Sequence, residues 1–250
     1  MQKFLSNGVE IAFDVWGQGP PVLLIHGFGS NVTVNWIQTG WVKTLVDSGM
    51  QVIAFDNRGH GKSEKIYKSS QYTPHLMAQD ALNLLRHLEI SRAAIMGYSM
   101  GARIAAFAAL LASKRVRCII FGGLAYNLVA AVQGAEDIAK ALLADKVNDL
   151  VVGQARDFRL FADATKSDKR ALAACILATR VKLTPHQISQ ISCPVLVAAG
   201  ALDELAGSVD RLTQLMANSQ SIILEKRNHM NAVGDLAYKA AVLQFLSVTD

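Results

Sequence analysis

A serine set between two glycines, in Gly97-Tyr98-Ser99-Met100-Gly101, is the residue of this sequence best placed to act as a nucleophile. Chance supplies Gly-x-Ser-x-Gly often, so the flanking sequence decides its meaning. The apolar run Ala93-Ala94-Ile95-Met96 leads into it and the small-residue segment Ala102-Arg103-Ile104-Ala105-Ala106 follows, the strand-turn-helix setting such a serine needs. The glycines permit a strained turn that lifts the hydroxyl above a sheet. The next helix then places its N-terminus near the charge that develops. The plainer alternative is a serine that only caps that helix.

A serine hydroxyl is scarcely ionised at neutral pH and needs a base. Of the six histidines, His26 and His60 sit in glycine-rich turns, His75 follows Pro74, His87 lies on an amphipathic helix and His186 follows Pro185. His229, in Arg227-Asn228-His229-Met230-Asn231, comes just after the last strand candidate, where a loop at the carboxyl edge of a sheet reaches a serine there. The base in turn needs an orienting carboxylate. Asp203, four residues past the strand candidate ending at Ala199, is the expected one, with Glu204 beside it as a second candidate. A tetrahedral intermediate also calls for fixed N–H donors. His26-Gly27-Phe28-Gly29 follows an apolar run ending at Ile25, and the amides of Phe28 and Met100 are the expected oxyanion pair. That turn lacks the Gly-Lys-Ser/Thr ending and the dinucleotide spacing of a phosphate cradle.

The elements that must hold these residues are legible in outline. Lys3–Leu5 and Val9–Trp16 read as a hairpin turned at Asn7-Gly8. Pro21–Ile25, Gln51–Phe55, Ala93–Met96, Arg117–Phe121 and Pro194–Ala199 are short apolar runs suited to strands buried on both faces of a parallel sheet, and Ser221–Leu224 is a further strand candidate. Helical spacing separates them at Trp41–Asp47, Met77–Leu88 and Ala102–Leu111, and an amphipathic helix closes the chain over Ala232–Leu246. Residues 124–190 are Ala-rich, charged and helix-prone, with Leu150-Val151-Val152 as the one strand-like run. They read as a helical cap inserted into a core of residues 1–123 and 191–250.

At 250 residues, 51% of them hydrophobic, the chain can bury a substantial core. Its formal charge of +5 is scattered apart from Lys62, Lys65 and Lys68, so no basic stripe tracks a phosphate backbone and nucleic acid is not an expected partner. The three cysteines, Cys118, Cys175 and Cys193, lie far apart with no Cys-x-x-Cys pair, and reduced structural thiols are expected. Residues 1–8 hold no apolar stretch of signal-peptide length, and no later run is long enough to span a bilayer. The expectation is a cytoplasmic protein with a small-molecule substrate and no membrane partner.

Taken together, the turn at 26–29, Asp56-Asn57-Arg58-Gly59-His60-Gly61-Lys62-Ser63, the elbow at 97–101, Asp203 and His229 resemble the α/β-hydrolase family, over a span from about Phe4 to Leu246. The Arg-Gly-His-Gly-x-Ser segment looks like a structural turn of that family rather than a catalytic one. The resemblance implies an α/β-hydrolase fold, a mostly parallel eight-stranded sheet flanked by helices, with the first hairpin strand antiparallel and a lid after the sixth strand. It gives Ser99, Asp203 and His229 the roles of a triad that works through an acyl-enzyme, with no metal or organic cofactor required. One departure is the absence of the proline that many members carry a few residues after the acid, where this chain reads Asp203-Glu204-Leu205-Ala206-Gly207-Ser208.

A pocket between the sheet edge and the cap is expected to be lined by Phe28, Trp36, Tyr98, Met100, Phe161 and Met230, an apolar set suited to a small or medium ester. A lactonase, a carbon-carbon bond hydrolase, and a cofactor-free haloperoxidase or perhydrolase would use the same triad, and a non-catalytic ligand receptor would keep it without turnover. An epoxide hydrolase or dehalogenase would instead need an aspartate at position 99.

Overall fold

A computed structural model describes residues 1–130 and 133–249. Eight strands, β1 (Gln2–Ser6), β2 (Val9–Trp16), β3 (Pro21–Ile25), β4 (Gln51–Phe55), β5 (Ala93–Tyr98), β6 (Val116–Gly122), β7 (Val195–Gly200) and β8 (Ser219–Leu224), form one sheet in the order β1-β2-β4-β3-β5-β6-β7-β8. The hairpin turns at Asn7 and Gly8, both at positive φ. The antiparallel strand is β2, the second of the hairpin rather than the first: it opposes both β1 and β4, while every pairing from β4 to β8 is parallel.

Alternate residues of the inner strands enter two separate cores. Leu23, Ile25, Ile53, Phe55, Ile95, Ile119 and Phe121 pack against α2 (Pro74–His87), α3 (Met100–Leu111) and α8 (Val209–Thr213). Val22, Leu24, Val52, Ala54, Ala94, Met96 and Ile120 pack against α1 (Trp41–Asp47) and α9 (Leu236–Ser247). Burial on both faces explains why these strands read as continuous apolar runs. Caps set two helix starts away from the apolar pattern. Thr73 accepts from the Leu76 N–H so that α2 begins at Pro74, and Asp235 accepts from the Ala237 and Tyr238 N–H groups so that α9 begins only at Leu236.

Between β6 and β7 lie α4 (Ala135–Leu143), α5 (Gln154–Ala164), α6 (Lys169–Thr179) and α7 (Pro185–Ser189). Leu150-Val151-Val152 forms no strand; Val151 and Val152 are 88% and 80% exposed. Thr165 and Ser167, at the end of α5, donate to the Gly29 carbonyl at 3.0 and 3.3 Å, which ties this helical segment down onto the loop after β3.

The strand order reverses between β3 and β5, which are neighbours although the chain visits β4 between them. The crevice beyond the carboxyl ends of two such strands is where an open α/β sheet receives a ligand. The segment resembling a family turn braces that crevice. Asp56 accepts from the Val32 N–H (2.8 Å) and the Lys62 N–H (2.7 Å), and Arg58 makes a buried two-pronged pair with Asp80 (2.6 and 2.8 Å). The Asn57 N–H donates to His26 Nε2 at 2.9 Å, and His26 Nδ1–H donates to the Gly27 carbonyl at 2.8 Å.

Candidate active site

Ser99 sits between β5 and α3 with φ 55° and ψ −114°, a conformation a serine adopts only under constraint. The constraint is visible: its N–H donates to the Gly122 carbonyl of β6 at 2.7 Å. The flanking glycines are obligatory by contact, because a Cβ on Gly97 would lie 2.1 Å from the Gly101 oxygen and one on Gly101 1.9 Å from the Ile25 oxygen. Ser99 occupies the N-cap position of α3, yet its side chain makes no capping bond. The hydroxyl instead faces His229 Nε2 at 2.9 Å.

His229 lies in the turn after β8 and Asp203 in the turn after β7, so both arrive at the carboxyl edge that carries the elbow. His229 Nδ1 is 2.9 and 3.0 Å from the two Asp203 oxygens, and Asp203 Oδ1 also accepts from the Leu205 and Ala206 N–H groups at 3.0 and 3.1 Å. The network assigns the proton to Nδ1, which leaves the Nε2 lone pair for the Ser99 hydroxyl. The Asp203 side chain is fully enclosed, whereas Glu204 lines the cavity and makes no hydrogen bond to His229 among the described residues. Tyr98 adds a support absent from sequence reasoning: its hydroxyl donates to the His229 backbone carbonyl at 2.6 Å. Burial, with the charge of Asp203 as a further cause, pushes the Tyr98 phenol well above its ordinary range, so it remains a neutral donor.

The other histidines are placed elsewhere. Burial lowers His26 to about 4 and His60 to about 3, and both serve as neutral struts within the 26–35 and 56–63 turns. His87 stacks on Phe4 at 5.2 Å, and His75 and His186 are exposed.

The His26–Gly29 loop lies against the elbow: a Cβ on Gly27 would stand 3.4 Å from Ser99 Cβ. The Gly27 N–H donates to Asn35 Oδ1 at 3.0 Å, which fixes the turn. Among the described residues, the Phe28 and Met100 N–H groups donate to no backbone or side-chain acceptor, and both flank Ser99.

Above the serine a cavity of about 630 Å³ opens, walled by Phe28, Tyr98, Phe161 and Met230 as the sequence suggests. Two expectations are corrected. Trp36 is wholly buried, edge-on to Trp41 at 6.5 Å in the α1–α9 core, and its neighbour Asn35 faces the cavity instead. The two adjacent residues lie on the π-helical turn over Thr33–Ile37 and project to different sides of it, one into the core and one to the cavity. Met100 lines a separate, smaller cavity on the other side of Ser99. Phe158 of α5, not singled out by the sequence, faces both cavities and packs edge-on to Phe28 at 5.6 Å. Among the described residues no group of three or more His, Cys, Asp or Glu is arranged to hold a metal ion, and no helix is long and apolar enough to cross a membrane.

A serine on a strained strand-to-helix turn, at the switch point of a mostly parallel sheet, defines an α/β protein that presents a serine at the carboxyl edge of its strands. The chain belongs to the alpha/beta hydrolase fold family, whose sequence profile matches residues 20–149, more than half its length. It is 38% identical over 95 residues, 38% of the chain, to a non-heme chloroperoxidase of Kitasatospora aureofaciens, and 33% identical over 114 residues, 46% of the chain, to an epoxide hydrolase of Caballeronia sordidicola. The aligned stretch spans about a third of the length of these curated relatives, 33% and 34%. A crystal structure of a hydrolase from Pseudomonas aeruginosa PA01 superposes with a TM-score of 0.81 at 25% identity, over 98% of this chain and 97% of that one.

Proposed function

We propose that this chain is a serine hydrolase that cleaves small or medium carboxylic esters through an acyl-enzyme, with Ser99 as nucleophile, His229 as base and Asp203 as its orienting carboxylate. The observation that carries this reading is the unbroken line of hydrogen bonds from Ser99 Oγ through His229 to Asp203, each near 2.9 Å, opening on a largely apolar cavity. His229 Nε2 takes the hydroxyl proton as Oγ attacks the ester carbonyl, and Asp203 stabilises the imidazolium that forms. The Phe28 and Met100 amides receive the oxyanion, helped by the N-terminus of α3. The intermediate collapses as His229 protonates the departing alcohol. Water, deprotonated by the same imidazole, then releases the acid and restores Ser99.

The walls of Phe28, Tyr98, Phe161 and Met230 suit an apolar alcohol or acyl group. Residues 124–190 serve as a cap on the core of 1–123 and 191–250, held by the Thr165 and Ser167 bonds to Gly29. Epoxide opening on this architecture takes an elbow carboxylate, so the activity named for the Caballeronia relative is not carried over to a chain with serine there. A second reading, perhydrolysis, is favoured by the likeness to the chloroperoxidase and uses the same acyl-enzyme with hydrogen peroxide in place of water.

The test is hydrolysis of 4-nitrophenyl butyrate by the wild type and Ser99→Ala, with a fluorophosphonate probe mapped by peptide analysis. A loss of about 10³-fold or more and a label on Ser99 are expected. Equal activities, or a label at another residue, overturn the assignment.

A further inference from the structure

Ser99 lies between two chambers of opposite electrical character. Phe28, Ser99, Phe158 and Leu205 line both the cavity of about 630 Å³ and a second one of about 60 Å³. Among the described residues, the charged ones lining the larger cavity include Asp157 and Glu204 and neither lysine nor arginine. The smaller one is bordered by Arg103 and Arg180, and among the described residues no carboxylate lines it.

Among the described residues these guanidiniums have no carboxylate partner. Arg103, one turn beyond Ser99 on α3, donates from Nη1 to the Val181 and Leu128 carbonyls (2.6 and 3.3 Å) and from Nη2 to the Asn127 carbonyl (2.8 Å). A guanidinium carries five N–H groups, so Nε–H and one Nη2–H remain. Arg180, at the end of α6, donates to the Gln133 carbonyl, and its other N–H groups are uncommitted among the described residues. No ion pair among the described residues joins either arginine to a carboxylate. Burial first, and then the charge of Arg180, lower Arg103 to about 10, so the two cations sense each other. Two close, partly desolvated cations repel, and an anion placed against both removes that cost.

We propose that the small chamber is an anion subsite for the acyl end of the substrate, and that the ester cleaved is the half-ester of a short dicarboxylic acid. This rests on the esterase reading of Ser99. At roughly 10–15 Å³ of such volume per water-sized unit, the chamber takes about four to six, enough for a carboxylate and one or two methylenes. Oγ attack breaks the ester C–O bond and releases the alcohol with the proton from His229, while the carboxylate-bearing acyl group stays on Ser99. Water completes the cycle, yielding one dicarboxylate, one alcohol and one proton. The alcohol occupies the larger chamber, whose carboxylates disfavour the reverse orientation.

The experiment compares kcat/KM for mono-4-nitrophenyl succinate and 4-nitrophenyl butyrate in the wild type, Arg180→Gln and Arg180→Lys, with circular dichroism melts to establish folding. The wild type is expected to prefer the half-ester about tenfold or more. The half-ester to butyrate ratio should fall about tenfold in R180Q and recover in part in R180K. A wild-type preference for butyrate, or a ratio unchanged in folded R180Q, overturns the subsite. If R180Q does not fold, inhibition of butyrate-ester hydrolysis by succinate against butyrate decides: tighter succinate supports the subsite and equal inhibition refutes it. If the wild type hydrolyses neither ester, the esterase reading fails. Calorimetric binding of succinate against butyrate then judges the subsite alone, with equal affinities refuting it.

Discussion

Replacing Tyr98 with phenylalanine removes one oxygen from beneath the histidine and little else. The ring lies in a slot floored by glycine: a Cβ on Gly122 would come within 2.8 Å of Tyr98 Cδ2, and one on Gly123 within 2.7 Å of Cζ. Phenylalanine fills the same slot, so packing is conserved and the lost feature is the 2.6 Å bond from the hydroxyl to the His229 carbonyl. A net hydrogen bond contributes about 1 kcal/mol to stability. For a chain of this length the melting temperature should fall by about 2–4 °C. The larger effect should be kinetic. The bond ties the His229 turn to the residue preceding Ser99, so its loss loosens the 2.9 Å Ser99–His229 contact through which the proposed mechanism moves a proton. If the same ~1 kcal/mol is lost from the transition state, kcat for 4-nitrophenyl butyrate falls about 5-fold, with KM changed less than twofold. Thermal denaturation and steady-state kinetics on one preparation make the assay. A lowered melting temperature with kcat intact would refute a positioning role and leave Tyr98 as a structural strut.

Two further outcomes follow from the geometry. Asp203→Asn keeps the side-chain shape but puts an amide opposite His229 Nδ1, favouring the wrong tautomer; kcat should fall by about 10³–10⁴-fold, and an equal loss in Glu204→Gln would point to the wrong carboxylate. Acid should also destabilise the fold before most carboxylates titrate. His26 and His60 are held neutral in the folded state, lowered to about 4 and about 3, while the unfolded chain protonates them near 6.5. Their stabilising contribution is therefore complete above pH 6.5 and is lost as pH falls toward the folded values. Between pH 7 and 5 the two together should lower the unfolding free energy by about 3–4 kcal/mol. Urea denaturation at the two pH values reads it, and equal stabilities would contradict the neutral, buried state of these imidazoles.

The local patterns of this chain were readable from its residues because they rest on near-neighbour sterics and periodicity. Strands buried on both faces show as apolar runs, the elbow shows as small residues around Ser99, and Asp203 and His229 each stand a few residues past a strand. The helical segment at 124–190 likewise showed in its composition; resemblance to a known family added the joining of the eight strand candidates into one mostly parallel sheet, though it put the antiparallel direction on the wrong strand of the hairpin. Capping chemistry, more than apolar pattern, moved the starts of α2 and α9. Tertiary structure alone decided the rest. Packing of Trp36 against Trp41 in the core left Asn35 at the cavity, and contacts across long stretches of chain brought Phe158 onto Phe28 and Arg180 toward Arg103. The physical reason is range: a bond such as Thr165 to Gly29 spans 136 residues and leaves no mark on the sequence near either end.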